Sequence, residues 1–348
     1  MKQEKWYETQ ASDQDVVISS RVRLARNLRK YPFPTRLSDE NATEMIHDVV
    51  SSIKNDRNAI GYYFDGIDMK GLSPMEQHSL LEKHIISPEF MNKTGEKALL
   101  LKDDESIGIM MNEEDHIRIQ TIFPGETIDD GYDLADKVDN LIEEMLEYAY
   151  DKEFGYLTAC PTNTGTGLRA SMMLHIPVLE MSGQLMNIVQ SITKFGLTVR
   201  GIYGEGSEPM GSIYQISNQV TLGKSEHEIL SVLKSMTGQI IAQEKALQKR
   251  LLTDRSQELE DKIYRSFGTL AYAKKLTAKE AMSRLSDIRL GFNTGILHMP
   301  KPKETIYQMM MNVQPGNIQR LANKNLSELE RDIFRARYIQ DCLTGHHQ

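Results

Sequence analysis

Three short β-type runs, KALLLK (97–102), SIGIMM (106–111) and HIRIQTIF (116–123), follow one another with only the acidic turns DDE and NEED between them. Runs of that kind joined so tightly pair as an antiparallel meander. The segment before them differs in period. From Ser38 to Ile53 the apolar residues Ala42, Met45, Ile46, Val49, Val50 and Ile53 recur at three-and-four spacing, which predicts a helix with one buried face. Residues 127–149 and 177–193 read as two further helices, and LTVRGIY (197–203) and SIYQIS (212–217) as strands flanking a Gly-rich connection.

After Gly223 the strand signals stop. Ser225 with Glu228 and Thr277 with Glu280 have capping-box spacing, in which each side chain satisfies an open backbone N–H at a helix start. Apolar faces follow both, Ile229, Val232, Leu233, Met236 and Ile240 on one helix and Ala281, Leu285, Ile288 and Phe292 on another. The expected class is therefore α+β, an antiparallel sheet flanked by helices and then an all-α C-terminal domain. The division is expected near residue 246, giving units 16–246 and 247–348. A chain of 348 residues accommodates two such units.

The net charge of −8 excludes a general nucleic-acid coat, so any anion site must be local. The two cysteines, Cys160 and Cys342, form no secreted-type disulfide framework, which points to a reducing compartment. MKQEKWYETQ has no signal-peptide character, and no apolar run reaches the roughly 18 residues of a membrane span. A soluble cytoplasmic protein is expected, with no direct partner in nucleic acid or membrane.

Against that acidic background five arginines stand out: Arg21 and Arg23 in SSRVRLARN, Arg118 in NEEDHIR, Arg169 in CPTNTGTGLRAS and Arg200 in VRGIYGEG. In HIRIQ the alternation turns Ile117 and Ile119 to the core and His116, Arg118 and Gln120 to the other face. Planar guanidiniums suit phosphate oxygens, and several together would spread positive charge over a triphosphate; scattered surface ion pairs are the plainer alternative. Glu113, Glu114 and Asp115 crowd one tight turn, and Glu205 and Glu208 lie on the Gly-rich connection, whose length suggests a functional loop. Such carboxylates could clamp a cationic substrate or take its proton, or simply be solvated turn residues. Cys160 is either a small buried residue or a thiol activated by neighbouring cations.

The motifs SSRVRLARN, NEEDHIR, CPTNTGTGLRAS and RGIYGEG followed by IYQISN, in this order and spacing, resemble the catalytic domain of the phosphagen (guanidino) kinases, over about residues 16–246. That resemblance implies an antiparallel sheet with no Walker loop. It implies ATP contacts from Ser19, Ser20, Arg21, Val22 and Arg23; from Arg118; from Arg169, Ala170, Ser171, Met172 and Met173; and from Arg200, Gly201, Ile202, Tyr203, Gly204 and Glu205. Mg²⁺ would be held mainly through phosphates and water, with no metal site in the protein itself. His84 in EKHIIS is similar to the family's adenine-side histidine. Glu114 resembles the carboxylate that orients and deprotonates the guanidinium, Glu205 its partner, and Cys160 the reactive thiol. Met173 stands where phosphagen kinases have histidine.

Two departures refine the family. Phosphagen kinases carry a sizeable helical domain before the SSRVR motif, which here begins at residue 19, and a helical segment follows the catalytic one. In SELERDIFRARYIQ, Ser327 and Glu330 again have capping-box spacing, with Arg331 and Arg335 one helical turn apart and Asp332 adjacent. The pattern alone is met by an exposed ion-pair face. The arrangement resembles the bacterial protein arginine kinases, whose RDxxRA motif corresponds to Arg331, Asp332, Ile333, Phe334, Arg335 and Ala336 and implies phosphoarginine binding. The same resemblance implies phosphorylation of arginine-containing protein substrates, a homodimer or higher oligomer, a Clp-type unfoldase/protease, a heat-shock repressor and a small zinc-binding activator as partners. The alternatives are a kinase for free arginine or another small guanidino compound, or a non-catalytic phosphoarginine-binding adaptor.

Overall fold

A computed structural model describes residues 4–9, 16–54, 59–201, 209–298 and 302–344. Along the chain these form β1 (Val17–Arg26), α1 (Asp39–Ile53), β2 (Phe64–Ile67), α2 (Pro74–Glu82), α3 (Pro88–Asn92), β3 (Ala98–Lys102), β4 (Ile107–Met111) and β5 (Ile117–Pro124). Next come α4 (Ile128–Glu143), the short β6 (Tyr150–Asp151) and β7 (Gly155–Tyr156), β8 (Leu168–His175), α5 (Pro177–Met181), α6 (Leu185–Thr193), β9 (Leu197–Arg200) and β10 (Ile213–Asn218). The remainder is helical: α7 (Glu226–Asp254), α8 (Ser256–Tyr272), α9 (Ala278–Asn293), α10 (Ile306–Asn312), α11 (Pro315–Ala322) and α12 (Glu328–Thr344).

Eight strands make one antiparallel sheet in the order β2-β3-β4-β5-β1-β8-β10-β9. The meander β3-β4-β5 is present as expected, and β1 lies between β5 and β8 at the sheet's centre. That central place has a visible cause. Val22 and Leu24 alternate with Arg21 and Arg23, so β1 can bury one side and still offer guanidiniums on the other. On the apolar side Val22, Leu24, Ile117, Ile119, Leu168, Ala170, Met172 and Ile216 pack against Met45 and Val49 of α1, Ala135, Val138 and Ile142 of α4, and Ile229, Leu233 and Ile240 of α7. Each buried aliphatic side chain there contributes on the order of 1.5–3 kcal/mol.

Three boundaries depart from the sequence expectation. The helix expected over 127–149 ends at Glu143, and Tyr148 and Ala149 instead bond back to the chain after β1 through the Leu28–Tyr148 bridge and Ala149 N–H to Asn27 O (2.7 Å). The helix expected over 177–193 is two, because Gly183 turns left-handed (φ 70°) and donates to Glu180 O. The strand expected over 197–203 is β9, ending at Arg200; Ile202 and Tyr203 lie outside the described residues.

The expected division at 246/247 falls inside α7, whose C-cap is Arg255. A second core joins the sheet to the helices that follow: Trp6, Ile18, Ile122, Met173 and Ile213 pack with Leu259, Ile263, Leu285, Ile288, Ile306, Tyr307 and Ile339. Both capping boxes expected around Ser225 and Ser327 are formed, and Thr277 Oγ1 caps Glu280 N–H.

Candidate active site

Residues opposite one another on neighbouring strands share a face, so the register alone assembles the site. Arg118 lies across from Ala25; Gln120, Arg23 and Arg169 form one row; Ile122, Arg21 and Ser171 form the next; Met173, Gln215 and Arg200 form a third. The arginine face opens into a cleft of about 780 Å³. Arg21, Arg23, Arg118, Arg169 and Arg200 line it together with His84, Glu114 and Cys160. Residues distant in sequence thus converge on one cavity.

Side chains of the β4–β5 turn and of β10 hold two of these guanidiniums. Arg118 donates from Nη1 to Glu113 (2.7 Å) and from Nη2 to Glu114 (3.2 Å), and Arg21 Nη2 donates to the neutral Gln215 (2.8 Å). Burial, reinforced by Arg118 and Arg169, holds Arg21 down at about 10. Burial and then Arg21, Arg118 and Arg169 push Arg23 well below its usual range. The buried Nε of Arg23 has no hydrogen-bond acceptor among the described residues. A multiply charged anion would relieve all of these at once.

The acidic turn between β4 and β5 separates into three jobs. Glu113 is buried, held by Arg118 and by the Ser87 hydroxyl. Asp115 accepts Asn27 Nδ2 (2.7 Å) and the Ala159 N–H (2.7 Å), which fixes the chain one residue before Cys160. Glu114 reaches the cleft, half-exposed. Burial raises its carboxyl above the ordinary range, with Asp115, Glu113 and Glu89 adding to the rise against the pull of Arg118. Cys160 is half-buried with Sγ 3.0 Å from Thr162 Oγ1. Its loop is pressed against β1 and against the chain after β10: a Cβ on Gly167 (φ 64°) would lie 2.5 Å from Ala25 O, and one on Gly165 (φ 115°) would lie 2.6 Å from Thr221 O. Only glycine fits either position.

His84 follows α2 in a left-handed conformation (φ 61°), and its carbonyl accepts Gln120 Nε2 (2.7 Å). Burial beside Arg21 holds its ring down at about 3, so it stays neutral beside a cationic site. Gln120, Gln215, Ser87, Glu89 and Asn163 are among the other residues of the lining. Gln120 is legible in the sequence, on the same alternating face as Arg118; Gln215, Ser87, Glu89 and Asn163 are not, because neutral and surface-type side chains carry no charge pattern.

Some expected contacts are not brought into the cleft. The side chains of Val22, Ala170 and Met172 belong to the apolar core on the opposite face, as two-residue periodicity requires. Ser20 donates to Gly125 O (2.8 Å) and accepts the Thr127 N–H (3.1 Å), anchoring the start of α4. Ser19, Ser171 and Met173 share the arginine face but are buried, Met173 beneath Tyr307 with its Sδ 3.4 Å from the phenol oxygen. Gly201 is buried, while Ile202, Tyr203, Gly204, Glu205 and Glu208 lie outside the described residues.

The RDIFRA helix is not a solvated ion-pair face. Arg335 is 1% exposed and donates to Val313 O (2.7 Å), Leu276 O (2.7 Å) and Asp332 Oδ1 (2.6 Å). Ala336 is in the second core, Ile333 and Phe334 are half-buried, and half-buried Arg331 donates to Leu326 O (2.9 Å). Arg335→Ala should therefore cost about 3–5 kcal/mol, measured as a lowered urea midpoint, because two carbonyls and a carboxylate lose their donor. A parent-like midpoint would show that these acceptors find other partners.

Residues 42–247 match the ATP:guanido phosphotransferase C-terminal catalytic domain, and residues 256–348 match the protein-arginine kinase McsB C-terminal domain. A protein-arginine kinase of Caldanaerobacter subterraneus subsp. tengcongensis is 45% identical over 331 residues, spanning 95% of this chain and 98% of that relative. One of Brevibacillus brevis is 45% identical over 338 residues, 97% of this chain and 94% of the other. Among solved structures, lombricine kinase superposes with a TM-score of 0.60 at 23% identity, over 71% of this chain and 70% of that one. The duplicated taurocyamine kinase of Schistosoma mansoni superposes with a TM-score of 0.61 at 23% identity, over 76% of this chain and 38% of the other. The likeness to these two structures is one of fold.

Proposed function

The chain belongs to the protein-arginine kinases, enzymes built on the ATP:guanido phosphotransferase catalytic domain, and from that premise we propose that it transfers the γ-phosphoryl group of ATP to arginine side chains of proteins. The observation that carries this reading is the convergence of five guanidiniums, one carboxylate of raised pKa and one thiol on a single cleft. Arg21, Arg23, Arg118, Arg169 and Arg200 would hold the phosphates and stabilise the charge of the phosphoryl group in transit. ATP supplies that group. Five guanidiniums repel a free cation, so Mg²⁺ would arrive on the phosphates and be held through them and water.

Glu114 would accept the proton of the target guanidinium, whose pKa above about 12 makes it a poor nucleophile while charged. As the N–P bond forms, the bond between γ-phosphorus and the β–γ bridging oxygen breaks, and the arginine cage takes the charge growing on the leaving ADP. Cys160 would flank the guanidinium, Asp115 fixing the approach of its loop, and neutral His84 would meet the base. Alkylation of Cys160 should block activity, with bound MgADP plus substrate slowing the labelling; inactivation by modification of Cys342 alone would remove the thiol from the site.

Arg331 and Asp332, half-buried near the start of the RDIFRA helix, would contact phosphoarginine, with Arg335 holding Asp332 from behind. Cytoplasmic action, self-association, delivery of marked proteins to a Clp-type protease, control of a heat-shock repressor and a zinc-binding activator belong to the same reading; no described helix is long and apolar enough to cross a membrane. The deciding experiment incubates the enzyme with MgATP and either an arginine-containing protein or free arginine. Acid-labile phosphate on protein arginine supports the proposal, label on free arginine alone favours the small-guanidino kinase, and binding of phosphoarginine without transfer favours the adaptor.

A further inference from the structure

The helix α11 has no cap of its own: Gln314 stands at its N-cap and makes no side-chain bond to the helix start. The open N–H groups are met from elsewhere in the chain. Glu82, the last residue of α2, accepts Gly316 N–H at Oε1 (2.7 Å) and Asn317 N–H at Oε2 (2.6 Å), across 234 residues of sequence. Ser79 Oγ adds a bond to Asn317 Oδ1 (2.6 Å). The approach is close enough that a Cβ on Gly316 would lie 2.9 Å from His78 Cβ and 3.0 Å from Glu82 Oε2. Glu82 is buried, which raises its carboxyl to about 7 against the pull of the two N–H bonds and of Arg335.

Both ends of this contact lead to sites already described. On the helical side, Arg335 Nε holds Val313 O, one residue before Gln314, so the turn into α11 is gripped by Arg335 from one side and Glu82 from the other. On the sheet side, Glu82 lies two residues before His84. His84 lines the cleft, and its carbonyl is tied to Gln120, which stands in register with Arg23 and through it Arg169. We propose that Glu82 is a positioning residue which, by gripping the start of α11, fixes His84 over the cleft and makes nucleotide affinity depend on the placement of the C-terminal helices. This rests on the reading of the cleft as the ATP site. Glu82 touches no reacting atom; it acts through His84.

The test compares Glu82→Gln and Gly316→Ala with the parent in the full chain. Gln keeps the size of Glu82 but offers one acceptor and places an NH₂ against an N–H donor, while the added methyl of Gly316→Ala separates α2 from α11 from the opposite partner. Both should weaken MgADP binding about tenfold in calorimetry, with kcat at saturating ATP within about twofold of the parent. Combining them should add little, since they break one contact. Glu228→Gln, which loosens the exposed cap of α7, should leave the MgADP Kd unchanged. Parent-like MgADP affinity in Glu82→Gln would overturn the proposal, as would a loss confined to kcat; if Gly316→Ala does not fold, Glu82→Gln decides alone. A parent that binds no MgADP would overturn the reading of the cleft instead.

Discussion

A Glu114→Gln enzyme should bind ATP much as the parent does and lose turnover by a factor of about 10² to 10⁴. The reasoning is geometric. Glu114 stands at the cleft side of the β4–β5 turn, while its neighbours Glu113 and Asp115 hold Arg118 and the Ala159 amide. Replacing it removes the acceptor for the guanidinium proton without removing an arginine. Full turnover in the variant would take the base role away from this residue. The raised pKa gives a second, independent check. A base works only when ionised, so kcat/KM should rise with pH through an inflection above the ordinary glutamate value of about 4.3. Because Glu89 contributes to the rise, Glu89→Gln should move that inflection to lower pH. An inflection that stays put would mean that another group controls the profile.

Arg169→Ala should lower kcat/KM by about 10² to 10³ and raise the ATP KM as well, in contrast to Glu114→Gln. A phosphate contact acts in ground and transition states alike, so both parameters move. The loss is moderated by relief elsewhere: Arg169 is one of the charges that depress Arg21 and Arg23, and those two would hold their protons more firmly without it. Arg169→Lys should recover part of the loss, since it keeps the charge but not the planar fork. Unchanged ATP KM and turnover in Arg169→Ala would place the phosphates away from this row of the sheet.

The sequence made the site legible to the extent that strand alternation and charge could carry it. Period alone turns Arg118 in HIRIQ away from the core, without choosing between cleft and solvent, and in the structure it lines the cleft. Arg21 and Arg23 obey the same rule in β1, but the run of Val16, Val17 and Ile18 before two serines disguises the alternation in the sequence. Period also separates Val22, Ala170 and Met172 from the cleft side, which taking whole motifs as contact sets obscures. The burial of Arg335 was beyond local pattern. Its acceptors, Val313 O and Leu276 O, lie on other segments, and a helix whose sequence alternates charge looks solvated until its neighbours are known. The same holds for Glu82, whose partners are backbone amides that no side-chain pattern marks.

Met173 is inserted between two worlds: its strand carries Arg169, and its sulfur lies under Tyr307 of α10. With Ile18, Ile122 and Ile213 it makes the sheet a wall of the same oily interior that α8, α9 and α12 close. Cleavage of the chain at Arg255 would consequently not release two self-sufficient globules. The fragments should stay associated after a nick and come apart only under denaturant, whereas a recombinant piece ending near residue 254 would carry a bare greasy flank beside its arginines and should precipitate or recruit a substitute for the missing helices.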